Sequence, residues 1–184
     1  LSLLDVCKGL AARGHEIHLV YNKEGNLLGN YREFCRSVTC VKNFEIRRDA
    51  MFSSSIQWLG SLGRAARINA DVIYVNQYHD TFFGGALARL KSLPLVCHLR
   101  LLPPAEFCGQ WRLGLRAATR FIAVSDATRS AYIECGFDSA TIVRVYNGIN
   151  LQRFSLADDR DATRSALGIP SNAFVALYAG RIDH

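Results

Sequence analysis

Two hydrophobic periods alternate along this chain, and their order predicts its architecture. Residues 2–13 set Leu3, Cys7, Leu10 and Ala11 at helical spacing, with Gly14 placed to cap the helix. "HEIHLVYN" then reads as a strand, residues 23–33 as irregular and 38–44 as a weaker strand. Phe52, Ile56, Leu59, Gly63 and Ala66 trace one face of a helix. "DVIYVN" is a short apolar strand, Phe82, Phe83, Ala86, Leu87 and Leu90 mark a helix, and "LPLVCHL" is the next strand. A helix over 110–119, a strand in "RFIAVS", a helix from Asp126 to Cys135 capped by Gly136, and a strand over 141–146 complete the series. Continuous apolar strands separated by helices are what a parallel sheet covered on both faces requires. The predicted fold is therefore α/β, a doubly wound parallel sheet.

In such a sheet ligands bind beyond the carboxyl ends of the strands. Asn22, Asn76, His98, Ser125 and Asn147 fall there, although Ser125, opening a helix, serves first as an N-cap. The ends of the chain depart from the pattern. Leu1 falls inside a helix with no strand before it. "LGIPSNAFVALYAGRIDH" closes a helix at Gly168 and Pro170, runs one apolar strand over 174–178, turns at Gly180 and stops. The expectation is a piece of something longer, truncated at both ends. Residues 1–150 form a first domain lacking its opening strand, 151–172 a linker, and 173–184 the first strand of a second domain.

Composition fits an ordinary globular chain, with 49% hydrophobic and 21% charged residues, and excludes disorder. No apolar run approaches the roughly 18 residues of a membrane helix, and Asp5 and Lys8 stand where a signal peptide is apolar. The six cysteines, Cys7, Cys35, Cys40, Cys97, Cys108 and Cys135, show no Cys-x-x-Cys pair and no matching His spacing. They are expected to be reduced, mostly buried cytosolic thiols, with no metal.

The net charge of +6 is uneven. Arg89, Lys91, Arg100, Arg112, Arg116, Arg120 and Arg129 face only Glu106 and Asp126 in the window 89–129, which implies a local basic surface. Arg112, Arg116 and Arg120, spaced i, i+4 and i+8 on the predicted helix, form a basic stripe. It reads as a solvated face, or as a contact with anionic lipid or a phosphorylated acceptor. Asp159-Arg160-Asp161 spells Asp-x-Asp, but at a predicted helix N-terminus the acids favour the helix dipole rather than a metal.

With these elements placed, six stretches in order resemble a known family. "LAARGHEIHLV", "ADVIYVN", "LPLVCHLR", "RFIAVSDATRSAYIECGF", "VYNGINLQRF" and "SNAFVALYAGRIDH" resemble the amino-terminal half of a glycosyltransferase of family 4, built on the GT-B architecture of two facing Rossmann-like domains. The likeness is weakest between residues 23 and 65. It implies retaining transfer of a sugar from a nucleotide-sugar donor to an acceptor hydroxyl, in the cleft between the domains, with neither metal nor cofactor.

By the same resemblance His98 is the catalytic candidate facing the sugar, an imidazole able to bond a hydroxyl or shift a proton. Gly180 and Arg181 match the donor-diphosphate contact, where a guanidinium offers phosphate a bidentate fork. Asn147, Gly148 and Asn150 match the hinge, with Asn147-Gly148 suited to a left-handed turn and Asn150 standing where the family usually has Asp. After His98 the family often has Asp, Gly or Thr, whereas here Leu99-Arg100 follows. Arg100 is thereby a candidate for an anionic acceptor or for a carboxylate within the fold.

The expected partners are a nucleotide-sugar and an acceptor that is a cell-envelope glycan, lipid-linked or a small molecule. A cytoplasmic location with peripheral contact at the inner membrane face is expected, nucleic acid is not, and this piece alone is expected to be inactive. The competing readings are another GT-B enzyme, such as a nucleotide-sugar epimerase or a phosphorylase, and a non-catalytic α/β module binding a phosphorylated or anionic ligand. A dehydrogenase is disfavoured because no Gly-x-Gly-x-x-Gly follows any strand.

Overall fold

Where the chain reads apolar without a break, it forms the strands of a parallel sheet. The computed structural model describes residues 2–148, 151, 159–178 and 180, and contacts divide the chain into two units, Leu1–Gly148 and Ile149–His184. The first unit runs α1 (Ser2–Ala11), β1 (His18–Tyr21), α2 (Leu28–Arg32), β2 (Ser37–Cys40), α3 (Met51–Ala66), β3 (Ile73–Val75) and α4 (Thr81–Lys91). It continues through β4 (Leu95–Leu99), α5 (Gly109–Leu115), β5 (Arg120–Ala123), α6 (Asp126–Glu134) and β6 (Ile142–Arg144). The described strand pairings are all parallel, in a four-stranded sheet of order β3-β4-β5-β6 and a separate pair β1-β2. This is the α/β, Rossmann-like arrangement that the alternating pattern predicts.

The core sits on β4, whose Leu95, Cys97 and Leu99 are fully buried and pack with Phe121, Ala123, Tyr132 and Ile142. Against it α4 and α5 approach so closely that a Cβ on Gly114 would run into the backbone of Thr81 and Phe82. Gly14 and Gly136 adopt the left-handed conformation just after α1 and α6, as expected of helix caps. Ser92 does the same after α4 at φ 53°, without a glycine's freedom.

Several expectations are corrected. α3 forms, but the face traced by Phe52, Ile56 and Leu59 points outward, at 82, 56 and 61% exposure. Ser54, Trp58, Ser61 and Ala65 are buried instead. The incoming segment explains this: Lys42 N and Arg47 N donate to Ser61 Oγ and Ser54 Oγ at 3.1 and 3.0 Å, and Trp58 Nε1 donates to the Phe44 carbonyl at 3.1 Å. Hydroxyls that satisfy backbone amides belong inside, and apolar periodicity is blind to them. The stretch expected to be irregular at 23–33 contains α2, which buries Tyr31. Of the cysteines only Cys97 is buried, while Cys40 and Cys135 are exposed; all six are free.

In the second unit α7 (Arg160–Ala166) is capped by Asp159, whose carboxylate accepts from Asp161 N at 2.9 Å. The Asp-x-Asp is thus a helix start, as predicted. Residues 173–178 form no strand among the described residues, and Phe174 and Leu177 stand 95 and 88% exposed. A strand without a neighbour has no ladder to bond.

Candidate functional site

The carboxyl ends of β1, β2 and β3 open on one hollow of about 810 Å³ in the first unit. Asn22 and Lys23 enter it from the end of β1, Lys42, Asn43 and Glu45 from the segment after β2, and Asn76 from the end of β3. Two of the strand-end residues singled out in the sequence, Asn22 and Asn76, therefore share a wall. Asp80 completes it at the close of a 3-10 turn, Tyr78–Asp80.

The 42–47 segment is held in place by α5, far along the chain. Ile46 N donates to Gln110 Oε1 at 3.0 Å, Gln110 Nε2 donates back to the Ile46 carbonyl at 2.6 Å, and Trp111 Nε1 donates to Glu45 Oε1 at 2.9 Å. Burial pushes the Asp80 carboxyl up to about 6, and the neighbouring Glu45 charge acts in the same direction. Asn43 Oδ1, in the same wall, is buried without a hydrogen-bond partner among the described residues. Sequence reasoning missed Glu45 and Asp80. The only signal at Asp80 was its place before a helix, which suggests a cap, yet its side chain makes no cap bond.

The predicted site residues do not all converge. His98 lies within β4 rather than after it, is 5% exposed and is absent from the wall of the hollow. Its Nδ1 shares a short hydrogen bond with the Tyr74 hydroxyl on β3, and its Nε2 is buried without a partner among the described residues. Burial, with the Arg100 charge, pushes the imidazole down to about 4, so it is neutral near pH 7 and is no proton shuttle in this state. Burial raises the pKa of Tyr74, which keeps its proton.

Among the described residues Arg100 binds two side-chain amides within the fold. Its Nε donates to Asn76 Oδ1 at 2.7 Å and its Nη1 to Asn147 Oδ1 at 3.3 Å, tying the end of β3 to the exit from β6. Arg112, Arg116 and Arg120 form no helical stripe, because α5 ends at Leu115 and Arg120 already opens β5. The turn is forced by entry into the sheet, where Thr119 gives both its N–H and its hydroxyl to the Leu95 carbonyl. These arginines gather at the amino edge of the sheet, opposite Asn76 and Asp80, with Arg112 and Arg116 beside Phe137 and Asp138.

Neither Asn147 nor Gly148 takes a positive φ, so the expected left-handed turn is absent there, although the boundary between the two units does follow Gly148. Gly180 lies under the Tyr178 ring, where a Cβ would meet the hydroxyl at 2.6 Å. Arg181 and Asn150 lie outside the described residues. Ser125 caps α6 as expected, its Oγ accepting from Thr128 N at 3.0 Å.

The profile of Glycosyltransferase Family 4 matches residues 2–153. The D-inositol 3-phosphate glycosyltransferase of Kineococcus radiotolerans is 33% identical over 128 residues, covering 68% of this chain and 28% of that protein. Its namesake in Streptomyces scabiei is 32% identical over 128 residues, covering 68% of this chain and 27% of its own. Among solved structures, Alr3699/HepE of Anabaena in complex with UDP matches with a TM-score of 0.68 at 21% identity, over 91% of this chain and 45% of that one. MurG of Acinetobacter baumannii matches with a TM-score of 0.55 at 17% identity, over 86 and 43%. The chain thus spans less than a third of these curated relatives and under half of these structures.

Proposed function

The chain belongs to glycosyltransferase family 4, and from that premise we propose that it supplies the acceptor-side domain of a retaining enzyme moving a sugar from a nucleotide-sugar to a hydroxyl. The observation that carries this reading is the polar hollow at the carboxyl ends of β1, β2 and β3, the edge where doubly wound sheets take ligands. In the transfer, the bond between the anomeric carbon and the donor phosphate oxygen breaks. The acceptor oxygen bonds to that carbon on the same face, and its proton leaves with the nucleoside diphosphate. A second, nucleotide-sugar-binding domain opens at 173–184 in this reading, with Gly180 and Arg181 at the donor diphosphate. In the same reading His98, whose Nε2 lacks a partner among the described residues, hydrogen-bonds the sugar once the donor domain completes the cleft.

Alr3699/HepE has been solved with UDP-glucose, which makes UDP-sugars the first donors to test. The relatives named D-inositol 3-phosphate glycosyltransferases suggest a phosphorylated polyol as acceptor, and Lys23 and Lys42 supply cations for its anionic group. The assay is release of UDP from UDP-glucose against a panel of inositols and inositol phosphates, using the whole two-domain protein. Transfer to a polyol hydroxyl is expected, and none by residues 1–184 alone. Ligand binding by the whole protein without transfer from any nucleotide-sugar would instead support the non-catalytic module.

A cytoplasmic location with peripheral membrane contact belongs to the same reading, and the outward face of α3 favours the contact. Among the described residues no helix is long and apolar enough to cross a membrane. Phe52, Ile56 and Leu59 instead form an exposed apolar stripe, with Arg48, Arg64 and Arg67 exposed near the two ends of the helix. That pairing suits an anionic bilayer surface. Sedimentation with phosphatidylglycerol vesicles should be lost in Phe52→Asp and retained in Arg112→Gln; the reverse pattern would move the contact to the other edge of the sheet.

A further inference from the structure

We propose that Asp80 accepts hydrogen bonds from the hydroxyl groups of the acceptor in this hollow, and that the acceptor presents a neutral polyol face to this wall. The inference rests on the transferase reading and concerns the same site. It begins from a cap that is not made. Asp80 precedes α4, where an aspartate ordinarily takes up a free backbone N–H, yet its carboxylate makes no such bond. Among the described residues no other donor reaches it, and it lies half-buried in the wall of the hollow. A carboxylate desolvated in this way without a donor opposes folding, and groups of that kind collect where a ligand supplies the missing partner.

A second observation points the same way. Asn43 Oδ1, arriving from the segment after β2, is buried in the same wall and also lacks a donor among the described residues. Two residues from distant parts of the chain, each with an unpartnered acceptor, therefore line one hollow. Hydroxyl hydrogens satisfy both. An anionic group does not, because Glu45 already adds negative charge beside Asp80. Phosphate belongs instead with Lys23 and Lys42, beyond the ends of β1 and β2.

The charged and titratable groups that share the hollow or the turn with Asp80 come from several elements: Glu45, Lys42 and Arg47 from the segment after β2, Tyr21 and Lys23 from the end of β1, Tyr31 from α2, Tyr78 and His79 from its own turn, and Cys97 from β4. Arg47 is paired with Asp49, and burial raises the Cys97 thiol so that it stays neutral. Burial also raises the Asp80 carboxyl to about 6, so under mildly acidic conditions protonation should remove its charge and turn one of its two acceptor oxygens into a donor.

The test titrates the 184-residue chain with myo-inositol, D-inositol 3-phosphate and inorganic phosphate, followed by NMR at pH about 7.5 and about 5. Asp80→Ala should weaken binding of both inositols about tenfold or more and leave phosphate unchanged. Wild-type affinity should fall at the lower pH, and that of Asp80→Asn should not. Equal inositol affinity in Asp80→Ala and wild type overturns the inference while leaving the hollow as an acceptor site. A wild type that binds phosphate but neither inositol overturns both. Should neither Asp80 variant fold, Glu45→Gln decides: it should shift the loss of affinity to lower pH, and an unmoved profile counts against the proposal.

Discussion

Asp80 and His98 pull the pH dependence of stability in opposite directions. The Asp80 carboxyl is raised from 3.8 to about 6, so its burden on the fold is absent below 3.8 and grows as pH rises through 6. The His98 imidazole is lowered from 6.5 to about 4, so the stability it contributes is present above 6.5 and is lost as pH falls towards 4. In the wild type the two slopes largely cancel. Asp80→Asn should gain about 1–3 kcal/mol at pH 7.5 and almost nothing at pH 4. Once Asp80 is removed, the acid side of the curve belongs to His98. Denaturant melts of Asp80→Asn should therefore lose stability steadily between pH 6.5 and pH 4, and a flat curve would mean that His98 is not buried neutral. Nothing in the letters "VCHLR" shows that the histidine is sealed inside β4. Its burial follows from the position of β4 between β3 and β5, a property of the assembled sheet.

At the scale of elements, the alternating pattern located every described strand of the first unit and most of its helices, because a doubly covered parallel sheet writes its burial into continuous apolar runs. It failed on orientation at α3, where the buried side is held by serine hydroxyls and one indole N–H. Phe52→Asp should consequently change stability by less than about 0.5 kcal/mol, as for a surface position. A core position would lose several times that. The pattern also overran at α5, where the demands of entering β5 end the helix before the arginines can line up. Spacing alone has no term for where a neighbouring strand begins. The close approach of α4 and α5 was equally hidden, since Gly114 matters only through what it touches. Gly114→Ala should cost about 1–3 kcal/mol or more by overpacking, read as a fall in the denaturation midpoint.

At the scale of the molecule, the strand-end asparagines Asn22 and Asn76 were legible because topology alone assigns ligands to the carboxyl edge. Glu45 and Asp80 were not, because they meet only after a segment following β2 reaches across to α5. Stability should be uneven in the same sense. β4 is buried along its length and bonded on both sides, whereas the strands of the pair β1-β2 are only partly covered. Hydrogen exchange should find the slowest amides in β4 and β5, with those of β1 and β2 opening at lower free energy; uniform protection would count against two separate sheets. The Ile46–Gln110 clasp joins positions 64 residues apart. A contact of such long range forms only after the intervening chain has given up its freedom. The rim of the hollow is therefore a late event in folding: a ribosome must release α5 before this edge can acquire its shape, and until then a nascent chain with a formed β1-β2 pair has no site to fill.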